Sequence, residues 1–194
     1  MARPDQHLDT IIEYALASGA ARAVALSTRD IVIDAGLADK CRRSGCPNFG
    51  LSINCPPLVA GPDGMRRWLQ KFNRAVVFRM DVRAGDLFSD KRRQAFQDLH
   101  QIAAGIEQAA VEAGFVSAVG YAGGSCRELF CYAYKDCPAL SENGRCRFPD
   151  QARPSMSGFG IDVAALFKTA GWTLRLASPG ENKTANLCGL VLIC

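Results

Sequence analysis

The chain has 194 residues, 48% of them hydrophobic and 22% charged, with a formal net charge of +4. That is enough chain for a hydrophobic core without staples, and so modest a charge gives no argument for a nucleic-acid partner. No apolar run approaches the ~20 residues of a membrane helix, and the polar start MARPDQHLDT has no secretory pattern, so one cytoplasmic domain over residues 1–194 is expected.

Residues 7–20 read as an amphipathic helix through Leu8, Ile11, Ile12, Ala15 and Leu16, with Gly19 as a stop. Residues 23–27 and 30–34 are short apolar runs that predict two paired strands across a turn at Thr28 and Arg29. Residues 35–61 show no periodicity and predict a long loop, a length that in a compact domain signals function or disorder. Pro62 suits a first helical position ahead of Met65, Trp68, Leu69 and Phe72. Residues 75–82 (AVVFRMDV) are the most strand-like of all. Residues 89–113 predict the longest helix, stopped by Gly114, and residues 115–121 a short strand after it. Asp162 caps a last helix with Val163, Leu166, Phe167 and Ala170 inward, followed by strands at 172–177 and 187–193. These elements predict an α/β or α+β domain, a mixed sheet covered by helices, with two long Cys-rich loops.

The cysteines carry the functional signal. Of nine, four (Cys126, Cys131, Cys137, Cys146) lie in the segment 123–163, and three (Cys41, Cys46, Cys55) lie in KCRRSGCPNFGLSINCPP. Clustered cysteines in a reducing compartment point to metal or redox chemistry before structural disulfides, and an odd count agrees. The gaps are Cys41-x4-Cys46-x8-Cys55 and Cys126-x4-Cys131-x5-Cys137-x8-Cys146. Neither group has the tight C-x2-C knuckle typical of structural zinc. Openly spaced thiolates suit an iron–sulfur cluster, although the bacterial ferredoxin run is absent. Proline follows Cys46, Cys55 and Cys137, and basic residues (Lys40, Arg42, Arg43, Arg127, Lys135, Arg145, Arg147, Arg153) crowd both groups. Such cations offset the negative charge of a thiolate-bound cluster, or else form a solvated basic surface. Cys188 and Cys194, in LCGLVLIC, read as core residues, and His7 and His100 as surface or core residues on helices. The segment RPSMSGFGIDV admits two readings. Its Ser155, Ser157, Gly158 and Gly160 N–H groups either face a cluster or an anion, or the segment is a tight connector into the Asp162 helix.

The phrases SCRELFC, CRFPDQARPSMSGFGIDV and CRRSGCPNFGLSINCPP resemble the predicted metal-binding protein family of bacteria and archaea, over nearly the whole chain from Lys40 onward. Phe49 departs from the pattern, standing where a tyrosine is expected. The resemblance implies metal binding through both Cys blocks and supplies neither a metal nor a reaction. The preferred expectation is a [4Fe–4S] cluster on Cys126, Cys131, Cys137 and Cys146. Cys41, Cys46 and Cys55 would hold a second cluster or wrap against the first, in electron transfer or cluster-based chemistry with a redox partner protein. One alternative is a zinc-stabilised module that presents a basic surface to a protein or nucleic acid. The other is a thiol/disulfide protein cycling pairs such as Cys126 and Cys131. No catalytic residue is assigned.

Overall fold

The computed structural model describes residues 4–180 and 183–194. In chain order the elements are α1 (Pro4–Ala17), β1 (Arg22–Ser27), α2 (Ala35–Arg43), α3 (Gly61–Leu69) and β2 (Arg74–Arg83), then α4 (Arg92–Glu112), β3 (Val119–Ala122), α5 (Cys126–Leu129), α6 (Val163–Thr169) and β4 (Thr184–Ile193). The four strands form one sheet in the order β1-β2-β4-β3. Every pairing is antiparallel, so the fold is α+β and the sheet is not the mixed one expected.

Alternation along the two central strands explains the layers. In β2, Val76 and Phe78 face one side while Ala75 and Val77 face the other; in β4, Val191 and Ile193 oppose Leu190 and Leu192. Both strands are covered on both faces and therefore read as nearly continuous apolar runs. The first face packs on α1 and α4 through Ile11, Ala15, Leu99, Ile102 and Ile106. The second packs on α3, α6 and the irregular stretch that precedes α6, through Met65, Met156, Phe159, Leu166 and Phe167. Within the sheet Phe78 pairs with Gly189, where a Cβ would come within 2.2 Å of the ring, so this position admits only glycine without a shift.

Four local expectations are corrected. Residues 30–34 do not pair with β1: Thr28–Asp30 is a 3-10 turn, β1 pairs with β2, and Ile33 bridges instead to Ile161. The stretch 35–61 is not all loop, because α2 occupies its first part, with Asp34 accepting from the Gly36 N–H at 2.7 Å as its cap. Residues 172–177 form no strand, although the Arg175 carbonyl still accepts from Asn186 N at 2.9 Å. The expected strand at 115–121 starts later, as Val119–Ala122, because Phe115 N–H closes the end of α4 on the Ala110 carbonyl. Among the described residues no helix is long and apolar enough to cross a membrane.

Candidate metal centres

Residues 153–161 hold both cysteine loops in place. Pro154 O accepts from Ala122 N at 3.1 Å, and Met156 N donates to Ala122 O at 3.0 Å, which fixes the segment to the end of β3. Ser155 N donates to Asn54 O at 3.0 Å, tying in the upstream loop. Gly160 O accepts from Asp34 N at 2.8 Å and Asp162 N donates to Val32 O at 3.0 Å, which sets the start of α2. Gly158 N and Gly160 N turn back on Ser155 and Ser157 carbonyls. Three of the four N–H groups, those of Ser155, Gly158 and Gly160, are thus committed to backbone partners, which favours the connector reading over the anion nest. Asp162 does cap α6, accepting from Ala165 N at 3.0 Å.

Gly160 has φ of +70°, and a Cβ there would approach Asp34 O at 2.5 Å. A residue with a side chain would be strained and would also push α2 away from the segment.

His100 fastens the downstream loop to α4. Its Nδ1 accepts from Arg153 N at 3.0 Å, which leaves Nε2 to donate to Gly123 O at 2.9 Å. Its side chain is fully buried, and burial lowers its pKa to about 4, so the ring is neutral at pH 7. The core reading of His100 is borne out; it grips both ends of the 123–153 loop. His7 is half-buried and stands edge-on to Phe115 on α1.

The seven clustered cysteines divide between two adjoining cavities. Cys126, Cys131, Cys137 and Cys146 line one, together with Ser52, Asn54, Arg127, Arg147 and the rings of Phe130 and Phe148. The space between them is about 10 Å³, room for roughly one water. Cys41, Cys46 and Cys55 line the other, of about 150 Å³, with Ser125, Ser155, Ser157, Glu128 and Arg92. Cys41 comes from α2 and Cys126 from the first turn of α5; the others come from bends and irregular loop segments. Among the described residues no three His, Cys, Asp or Glu side chains gather closely enough to clasp a single ion. The thiols surround their cavities without meeting at one point.

Three of the seven thiols, those of Cys55, Cys126 and Cys131, are buried, and burial disfavours their thiolate forms. Burial pushes Cys126 up, against hydrogen bonds from Ser52 and Asn54, and neighbouring Cys146 and Cys131 add to the rise. Cys131 is also pushed up by burial, opposed by the Arg147 guanidinium. Cys55 rises to about 11, again mainly through burial, with Cys126, Cys46 and Cys41 close enough to contribute. Thiols held in this range bind metal by releasing protons as the metal enters.

The basic residues sort themselves. Of the eight singled out in the sequence, Arg127 and Arg147 line the four-cysteine cavity. Arg127 donates to the carbonyls of Cys131, Tyr134 and Lys135, which curls the loop around its guanidinium. Arg147 holds Asp136 through its carbonyl at 2.8 Å and its carboxylate at 3.1 Å. Arg42 and Arg43 pair with Asp39 on the surface, and Arg153 pairs with Glu107 at 3.0 Å behind the loop. Lys40, Lys135 and Arg145 are exposed. Sequence reasoning missed Arg92, ion-paired to Glu128 on the wall of the three-cysteine cavity, because it lies on α4 far from either Cys block. It also missed Ser52, Asn54 and Ser125. Cys188 is buried in the core as expected, its thiol pushed to about 12 by burial, whereas Cys194 is exposed just past the end of β4.

Compared with known sequences, residues 24–193 match the family described as predicted metal-binding protein (DUF2284). No curated protein and no solved structure matches the chain. The match spans most of the chain and includes all seven clustered cysteines, so the chain belongs to that family.

Proposed function

We propose that this member of the predicted metal-binding family carries two metal centres, one on Cys126, Cys131, Cys137 and Cys146 and one on Cys41, Cys46 and Cys55. The observation that carries the reading is the partition itself. Seven cysteines spaced at five-residue to nine-residue steps along two loops fall into two cavities, four around one and three around the other, while Cys188 and Cys194 stay outside.

The preferred occupant is a [4Fe–4S] cluster. Thiols spread around a cavity suit an object whose irons sit at separate corners, and Arg127 and Arg147 beside the four-cysteine cavity offset its negative charge. Such a cluster supplies one-electron redox chemistry, exchanged with a redox partner protein. The three-cysteine centre leaves one coordination position to a non-cysteine or exogenous ligand, in a cavity large enough to admit one. Zinc is the second reading, favoured by the small space between the four thiols, which a single ion needs to widen less than a cluster does. A thiol/disulfide role is disfavoured, because burial holds Cys126 and Cys131 above the usual thiol range, whereas an activated thiol needs the reverse.

Iron, acid-labile sulfide and zinc are to be measured on anaerobically purified protein, with its visible absorption. The reading expects iron and sulfide in comparable amounts and a broad band in the blue-visible region. Zinc without iron would replace the cluster with the second reading, and protein free of iron, sulfide and zinc would end both.

A further inference from the structure

The wall between the two cavities is built crosswise. Ser52 belongs to the upstream loop, three residues before Cys55, yet its Oγ lies 3.0 Å from Cys126 Sγ in the downstream group. Ser125 immediately precedes Cys126, yet its Oγ lies 3.2 Å from Cys55 Sγ in the upstream group. Both serines and both cysteines are buried. Asn54 adds a second contact in the same sense, its Nδ2 donating to Cys126 Sγ at 3.6 Å.

The hydrogens have defined places. Ser52 Oγ accepts from Asn54 N at 3.1 Å, so its own O–H is free to point at Cys126 Sγ. That small turn also brings the Asn54 side chain to the same sulfur. Asn54 O is held by Ser155 N, which locks the turn to the central segment. At the other contact the Cys55 thiol donates to Ser125 Oγ. With a metal on that sulfur the thiol proton would be released, and the Ser125 hydroxyl would be left to donate in the opposite direction. A buried thiolate without a donor is costly, and donors to a ligand sulfur both stabilise the metal-bound form and withdraw charge from it.

We infer that each cysteine loop supplies the hydrogen-bond donors for the other loop's ligand sulfur, so that Ser52 and Asn54 tune the four-cysteine centre and Ser125 tunes the three-cysteine centre. The inference rests on the assignment of both cavities as metal centres. Its consequence is a paired unit: each loop, once ordered, completes the surroundings of its neighbour's ligand.

The test isolates one centre at a time and uses cobalt(II) as the probe, read by its sulfur-to-cobalt charge-transfer absorption. Cys46→Ser leaves the four-cysteine centre as the intact one, and Cys131→Ser leaves the three-cysteine centre. In the Cys46→Ser background, Ser52→Ala should weaken cobalt binding about 10–100-fold and move the band to longer wavelength, while Ser125→Ala leaves both readings in place. In the Cys131→Ser background the pattern should be reversed. Asn54→Ala, at a partly exposed position, should reproduce a smaller shift of the same sign at the four-cysteine centre. The band shift reports donation to sulfur directly, and circular dichroism confirms that each variant is folded. If each serine affects only the centre of its own loop, or neither affects any, the crosswise wiring is wrong while the centres stand. If the parent proteins bind cobalt without thiolate absorption, the assignment of the centres falls and the inference falls with it.

Discussion

At the scale of single residues, the decisive side chains are those that hold the cysteine loops rather than the cysteines alone. His100 joins α4 to both ends of the 123–153 loop through one accepted and one donated hydrogen bond. Its folded pKa of about 4 lies below the ordinary 6.5, so between those values the unfolded chain binds the extra proton. Stability contributed by the neutral ring is therefore complete above about pH 6.5 and is lost as pH falls toward 4. The loss is on the order of 3 kcal/mol, from the displacement between 6.5 and about 4. Denaturant unfolding measured from pH 7 to pH 4 checks this, and the His100→Gln variant should flatten that part of the profile while being less stable at pH 7 by about 1–3 kcal/mol. A profile unchanged by the substitution would mean that another group dominates acid sensitivity.

At the scale of elements, residues 153–161 do what the sequence leaves open between a connector and an anion nest. Gly160→Ala should destabilise the protein by about 1–3 kcal/mol, because it combines a left-handed backbone with a Cβ 2.5 Å from Asp34 O. A chevron or equilibrium melt would show it, and an unchanged midpoint would count against the tight contact with α2. The elements with strong periodicity were legible from sequence: α1, α4 and α6 by their apolar stripes, β2 and β4 by their continuous apolar runs. The helix α2 was not, because AGLADKCRR has no apolar stripe and no buried residue. Its cap at Asp34 and its basic last turn were the available signals. The run at 30–34 was legible as extended but not its partner, since Ile161 lies far away in sequence and local reasoning favours a hairpin. The same limit applies to the site. Which cysteines cluster could be read from spacing, whereas the crossing of Ser52 and Ser125 depends on how two distant loops meet.

At the scale of the whole molecule, an antiparallel sheet with two apolar clusters supplies a core that does not involve the clustered cysteines, apart from a small third cluster around Cys126, Leu129 and Phe130. Removing metal with a chelator under reducing conditions should therefore loosen the two loops before the sheet. Limited trypsin digestion would show this as faster cleavage at exposed Lys40, Arg42, Arg43, Lys135 and Arg145, with the site at Arg79 in β2 protected. Uniform acceleration across the chain would indicate that the core itself depends on metal. The most direct test of the central claim is the metal content per chain of anaerobically purified wild-type protein beside Cys131→Ser, Cys46→Ser and the double variant. The account predicts that each single variant loses one centre and keeps the other, and that the double variant loses both. Complete loss in either single variant would contradict two separate centres.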